Sequence, residues 1–157
     1  MKQKIRAISF IILSVVMSAL CLFSCAQGGE TKAKLVYSIP EQIVMSIEKT
    51  DGKATAFNAL TSLKEQKLLT FESNDSVYGA YIVSINDNAE KILESTASSS
   101  KGYAWTLYTS DMENAYIETT ITYEGTVCGL SAYGASSLVV KEGALYVWVY
   151  EYYEYTW

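Results

Sequence analysis

Histidine is absent from the 157-residue chain, and arginine and proline occur once each. Without histidine, the chain cannot form a Ser-His-Asp or Cys-His catalytic centre, or a histidine-ligated metal site. The remaining residues show no defensible pair of catalytic carboxylates, no metal-ligand spacing and no phosphate-binding loop. The sequence therefore predicts a protein that is not an enzyme, with no catalytic residues, no metal site and no cofactor.

Basic residues are also scarce. The only arginine, Arg6, lies near the N terminus with Lys2 and Lys4. Residues 25–157 hold nine lysines against 17 acidic residues, which gives this part of the chain a formal charge of −8. Nucleic-acid backbones are bound by clustered lysine and arginine. We therefore expect no nucleic-acid partner.

The N-terminal segment has the features of a secretory signal. Lys2, Lys4 and Arg6 precede an apolar run from Ile8 to Phe23, which is interrupted only by small or hydroxyl residues. The alternative interpretation is a membrane-spanning anchor. The run is slightly short for this, because spanning a bilayer takes about 20 residues.

The end of this segment resembles the lipobox of bacterial lipoproteins, with Leu22 at position −3, Ser24 at −1 and Cys25 as the acylated residue. We predict a lipoprotein signal peptide over residues 1–24 and a lipid-anchored tether over residues 25–40. The predicted location is the bacterial cell membrane, facing the cell exterior or the periplasm. Cys128 then has no intrachain disulfide partner, and we interpret it as a small buried hydrophobic residue.

The best-patterned stretch of the chain runs from Ser76 to Asn88. Tyr81, Val83 and Ile85 alternate with the residues between them, and the pattern breaks at the turn formers that follow. Alternation with a period of two, bounded by turn residues, is typical of a half-buried strand. We interpret this strand as the first strand after a helix and as the hub, or central strand, of a small mixed domain.

Other segments complete an α+β pattern. The stretch after Asp51-Gly52 has apolar residues at helical spacing, with Thr55 as the expected N-cap and an end near Leu69. Residues 70–76 are expected to be a polar connection, and Ala89–Glu94 could form one helical turn. Strands are expected at 42–49, 103–109, 116–123 and 144–152, with a weaker edge strand at 35–39. One helix on a mixed, largely antiparallel sheet is the predicted architecture.

Tyrosine is abundant: ten of the 13 tyrosines lie from Tyr103 onward. One interpretation is strand propensity combined with cross-strand aromatic pairing. The other is a stacking surface for a sugar, a flat macrocycle or another protein. The pattern alone is compatible with both.

Four motifs, in this order, carry a family resemblance: "DGKATAFNAL", "YGAYIVSIND", "GYAWTLYTSD" and "YGASSLVVKEGALYVWVY". Together they resemble the small C-terminal domain of the vitamin B12 carriers transcobalamin and intrinsic factor, which also occurs in bacterial surface proteins. The similarity covers roughly residues 43–150. It implies a β-grasp-like domain over residues 41–157 that binds a soluble ligand, with cobalamin or a related corrinoid as the candidate.

In the carriers, a larger α-helical domain holds the other side of the ligand, and we expect this sequence to lack that domain. The resemblance therefore implies that a partner surface protein contributes to binding. The alternative function is a non-catalytic cell-surface module for protein–protein interaction or adhesion. The candidate ligand-binding residues lie at strand ends: Tyr78, Asn86, Asp87, Trp105, Tyr108 and Ser110.

Overall fold

The computed structural model describes residues 30–77 and 79–157. The predicted signal peptide, the lipidation site Cys25 and the candidate residue Tyr78 lie outside the described residues. Within the described part of the chain, no helix has both the length and the apolar character needed to cross a membrane.

The described chain is mostly strand, with a single α-helix, α1 (Ala56–Glu65), and a short 3₁₀ turn at Met112–Asn114. The strands are β1 (Thr31–Ile39), β2 (Gln42–Thr50), β3 (Phe71–Ser76), β4 (Gly79–Ile85), β5 (Asn88–Ala89), β6 (Lys91–Ser95), β7 (Ser99–Thr109), β8 (Ala115–Tyr123), β9 (Thr126–Ser131) and β10 (Leu145–Thr156).

Two sheets are formed. A seven-stranded sheet has the order β1-β2-β10-β7-β9-β8, with β6 also on β7, and a small sheet has the order β3-β4-β5. Every pairing between the described strands is antiparallel. The predicted α+β class with a largely antiparallel sheet is confirmed. A mixed sheet also requires at least one parallel pair, and these strands include none.

The centre of the large sheet is β10, which pairs with β7 along its length and with β2 over Leu145–Val149. Tyr146, Val147 and Trp148 are all buried, because apolar clusters cover both faces of the sheet at this point. β4 lies instead in the middle of the small sheet, and the strand that returns from α1 is β3. The prediction that Ser76–Asn88 forms the hub is therefore wrong.

The helix begins as predicted. The Asn58 backbone N–H donates to Thr55 Oγ1 at 3.4 Å, and the Thr55 N–H donates to Asn58 Oδ1 at 2.8 Å, forming a reciprocal cap. The next two backbone N–H groups, of Ala56 and Phe57, donate to carbonyl oxygens of Leu138 and Ala135. The helix ends at Glu65 rather than near Leu69, because Lys67 takes a left-handed backbone conformation with φ 60°.

Several polar segments form strands that the sequence pattern did not predict. Residues 71–76, expected as a connection, form β3, and the region expected to form one helical turn contains the end of β5 and most of β6. β1 begins at Thr31, inside the predicted tether, and buries Ala33. Most residues of these strands are not buried, so the segments show no apolar pattern. Their conformation is determined by pairing with a neighbouring strand.

Candidate functional site

A cleft of about 570 Å³ lies along one edge of β7. On this edge β7 pairs with β6 through Ser100–Tyr103 and with β9 through Tyr108–Thr109. Between these two contacts, residues 104–107 have no strand partner on this edge among the described strands, and they form one wall of the cleft. The cleft is therefore a gap in strand pairing, and its volume falls within the range of about 300–1,000 Å³ that is usual for small-molecule sites.

The other walls come from separate parts of the fold: residues 80–82 of β4, residues 130–135 at and after the end of β9, and residues 148, 153 and 155 of β10. Aromatic rings dominate the lining: Tyr81, Trp105, Tyr133, Trp148, Tyr153 and Tyr155. The charged residue in the lining is Glu90. A site with this composition suits a ligand that presents a ring face and hydrogen-bond donors, and it disfavours an anion.

Tyr81 and Glu90 form the polar centre of the cleft. The Tyr81 hydroxyl donates to Glu90 Oε1 at 3.0 Å. Burial, together with this hydrogen bond, raises the pKa of Tyr81 well above its ordinary value of 10.0. The phenol therefore stays protonated at neutral pH and holds one carboxylate oxygen of Glu90.

Trp105 was predicted from the sequence as a site residue, and it lines the cleft. The residue is 6% exposed, and its indole N–H donates to the Asn88 carbonyl oxygen at 2.7 Å. Its ring lies 5.5 Å from that of Tyr150, whose hydroxyl donates to the Ala89 carbonyl oxygen. These bonds attach the β4–β5 hairpin to the large sheet. The ring of Trp105 lines the cleft, but its indole N–H is already hydrogen-bonded and is not available to a ligand.

Trp148 also lines the cleft and is 3% exposed. Its indole N–H is buried and has no hydrogen-bond partner among the described residues. An unpaired buried donor costs about 1–3 kcal/mol, and such groups are uncommon in native proteins. The unpaired donor therefore lies in the side chain of a lining residue, but it is itself buried.

Asn86 and Asp87 form the two-residue turn between β4 and β5. Both have positive φ, 49° and 67°, as a type I′ hairpin turn requires. Asn86 Oδ1 accepts from the Thr70 backbone N–H at 3.0 Å, and Asp87 is exposed. The structure thus places both residues in the turn of the hairpin that Trp105 binds, but outside the lining of the cleft.

Tyr108 and Ser110 lie elsewhere. Tyr108 is 3% exposed in the smaller apolar cluster of the sheet, and its hydroxyl donates to Glu151 Oε1 at 2.9 Å. Ser110 Oγ accepts from the Leu145 backbone N–H at 2.9 Å and so fixes the start of β10. Of the predicted ligand-binding residues that the structure describes, Trp105 alone lines the cleft.

Sequence reasoning missed most of the lining: Tyr81, Glu90, Tyr133, Trp148, Tyr153 and Tyr155. The available signal was the excess of tyrosine in the C-terminal half, which did not reveal which rings share a surface. Their proximity depends on how the small sheet and the segment after β9 approach β7. No local pattern encodes that arrangement.

A second depression, of about 820 Å³, lies between α1 and β3 and is lined in part by Phe57, Lys64 and Phe71. The Lys64 ammonium lies 4.8 Å from the centre of the Phe71 ring and donates to the Phe71 carbonyl oxygen at 3.1 Å. Its cation is therefore already bonded, and the depression has fewer aromatic residues than the cleft on β7. We therefore take the cleft on β7 as the candidate site.

Across residues 30–77 and 79–157, no group of three His, Cys, Asp or Glu side chains is arranged so that it could hold a metal ion. Comparison of the chain with protein-family models, with curated proteins and with solved structures found no match.

Proposed function

We propose that this chain is a lipid-anchored protein of the bacterial cell surface whose folded domain binds a soluble ligand in the cleft along β7. The observation that carries the proposal is the aromatic lining of that cleft around a single carboxylate, Glu90. The location rests on the lipobox that ends at Cys25 and on the signal-like segment before it. The proposed activity is binding and not catalysis.

A corrinoid is the first candidate for the ligand. The order of motifs resembles the cobalamin-binding carriers, and a β-grasp-like classification of the domain belongs to the same proposal. A corrinoid has a broad ring edge with peripheral amide groups, which can donate to the Glu90 carboxylate while aromatic rings pack against its apolar parts. It is larger than the molecules that a cleft of about 570 Å³ encloses. A partner surface protein would therefore cover the remainder.

Isothermal titration calorimetry tests the single-chain version of this proposal directly. The full chain, purified in detergent, is titrated with cyanocobalamin. We expect weak but saturable binding, because one side of the ligand stays in water. The absence of heat at millimolar ligand would remove corrinoid binding by this chain alone.

Two tyrosines of similar exposure provide a matched pair of variants. Tyr133 lines the cleft and is 52% exposed, whereas Tyr116 lies outside it and is 54% exposed. Loss of an aromatic contact costs about 0.5–1.5 kcal/mol, so Tyr133→Ala should weaken binding roughly two- to tenfold. Tyr116→Ala should leave the affinity unchanged, and equal effects of the two substitutions would place the ligand elsewhere.

The alternative function, a non-catalytic interaction or adhesion module, is favoured by a different observation. Tyr155 and Trp157 at the end of the chain are more than 60% exposed, and Tyr152 is exposed beside them. Large exposed aromatic residues in one segment are typical of surfaces that bind other proteins. This alternative predicts a stable complex with a surface protein that Trp157→Ala disrupts and that cyanocobalamin does not affect.

A further inference from the structure

The far half of β10 has one unpaired edge. One edge of β10 pairs with β7 as far as Thr156. On the other edge, β2 covers Leu145–Val149, and the Tyr150 N–H donates to the Glu41 carbonyl oxygen at 2.8 Å. Beyond that bond, residues 151–156 have no backbone partner on this edge among the described residues.

This edge has few of the features that normally keep a strand from pairing with another chain. Residues 151–156 contain no proline and no lysine, and the pairing of β10 with β7 runs without a bulge. Natural proteins protect exposed edges with such residues, with bulges or with very short strands. Glu151 and Glu154 are the only charged residues in this stretch. A partner strand must therefore avoid placing negative charges opposite these two carboxylates.

We propose that this edge pairs with the same edge of a second copy of the chain, antiparallel, about a two-fold axis at Tyr153. In such a pair Tyr153 lies opposite itself, residue 151 lies opposite 155, and residue 152 lies opposite 154. Each glutamate therefore faces a tyrosine of the other copy. Opposed like charges would destabilise the pair, and this register has none.

Neighbouring registers are worse. An axis at Glu154 places that carboxylate directly opposite its own copy, and an axis at Glu151 does the same for the other glutamate. An axis at Tyr152 moves Glu154 opposite Tyr150, whose backbone N–H is already bonded to Glu41. Among the registers that keep the carboxylates apart, the axis at Tyr153 joins the longest stretch of unpaired backbone, residues 151–155 of each copy.

Tyrosine and glutamate already form hydrogen bonds with each other on this strand. The Tyr152 hydroxyl donates to Glu154 Oε2 at 2.8 Å, and Glu151 accepts from Tyr108. The rings of Tyr153 and Tyr155 stack with their centres 5.3 Å apart. Two copies related by the axis would continue this stack across the interface.

Disulfide trapping tests the register. On the axis, the Cβ atoms of the two copies would lie about 4.5–5.5 Å apart, so Tyr153→Cys should give an oxidised dimer at least about tenfold above the parent chain. Tyr155→Cys is the matched control, because its two copies would be separated by four residue steps, or about 14 Å. Both variants are oxidised as full chains in detergent, beside the parent chain, which measures any dimer formed through Cys21, Cys25 or Cys128.

Dimer from Tyr153→Cys but not from Tyr155→Cys supports the proposal. Equal trapping of the two variants, or trapping of Tyr155→Cys alone, would overturn the register. Sedimentation velocity of the unsubstituted chain provides a measurement that does not depend on the variants folding. A monomer at the concentrations used for trapping would overturn the proposal as a whole, whereas the ligand titration above can fail without affecting it.

Discussion

At the scale of single residues, Gly102 determines whether β6 can lie against β7. It is opposite Ile92 in the β6–β7 pair, and a Cβ atom at this position would collide with the Lys91 backbone carbonyl oxygen. Backbone cannot move aside as a flexible side chain can. Gly102→Ala should therefore lower the free energy of unfolding by about 1–3 kcal/mol, measured by urea denaturation.

Gly134 provides the control for this substitution. A Cβ atom there meets nothing within 4 Å, and the backbone does not have positive φ. Gly134→Ala should change the free energy of unfolding by no more than about 0.5 kcal/mol. If both variants lose the same stability, the contact with Lys91 is not the cause of the loss at Gly102.

Residue-level features with a local cause could be predicted from the sequence. Thr55 was identified as the helix cap, and Asn86-Asp87 as turn formers, because both roles depend on bonds and backbone angles within a few residues. Tyr108 and Ser110 could not be placed correctly by the same reasoning. Their partners, Glu151 and Leu145, are distant in the sequence.

At the scale of elements, the bond between Asp111 and Lys141 ties the end of β7 to the segment that leads into β10. Lys141 Nζ donates to Asp111 Oδ1 at 2.9 Å, and Asn114 Nδ2 donates to Oδ2 at 2.7 Å. Burial alone would raise the pKa of the Asp111 carboxyl, but these hydrogen bonds outweigh it and lower the pKa below its ordinary value of 3.8. The carboxylate form is therefore favoured by folding.

The sign of the pH effect follows from that lowered pKa. The stability contributed by Asp111 is fully present above the ordinary pKa and is lost as the pH falls through the lowered one. Urea denaturation of the parent chain should therefore show a loss of stability below about pH 4. Asp111→Asn should remove part of that pH dependence and cost about 1–3 kcal/mol at neutral pH.

Glu113 is the matched control, because its Oε2 accepts from the same Lys141 ammonium at 2.6 Å while its side chain is 84% exposed. Exposed ion pairs contribute little, so Glu113→Gln should change stability by less than about 1 kcal/mol. An equal loss in both variants would show that burial of the carboxylate is not the cause.

Elements with an apolar pattern were predictable, and elements without one were not. β2, β7 and the first part of β10 alternate or bury both faces, and α1 carries buried residues at helical spacing. β3 and β6 contain mainly polar or exposed residues. They are strands because a neighbouring strand supplies hydrogen bonds, which the linear sequence does not reveal.

At the scale of the whole molecule, the cleft exists because the small sheet is held over an unpaired section of β7. Trp105 and Tyr150 donate to carbonyl oxygens of the β5 hairpin and hold it there. The sequence showed an excess of tyrosine in the C-terminal half, which is compatible with a stacking surface or with ordinary strand pairing. The cleft needs the mutual placement of two sheets and a loop. That placement is a global property of the fold.

Cys128 allows the integrity of the whole sheet to be measured. It lies on β9 between β7 and β8, is fully buried, and packs in the cluster with Val44, Tyr108 and Val147. Burial raises the pKa of its thiol, so the reactive thiolate is scarce as well as inaccessible. Reaction with an aromatic disulfide reagent therefore requires β9 to separate from its neighbours.

We expect the native chain to react at Cys128 at least about a thousandfold more slowly than the urea-unfolded chain, because exposing this fully buried thiol requires the surrounding apolar cluster to open. The Cys128→Ala variant measures the reaction of the remaining cysteines, which is subtracted. Fast reaction of the native protein would mean that β9 opens locally while the rest of the sheet stays folded. In that case β8 and β9 would form a separate, less stable unit, and the edge of β7 next to the cleft would open with them.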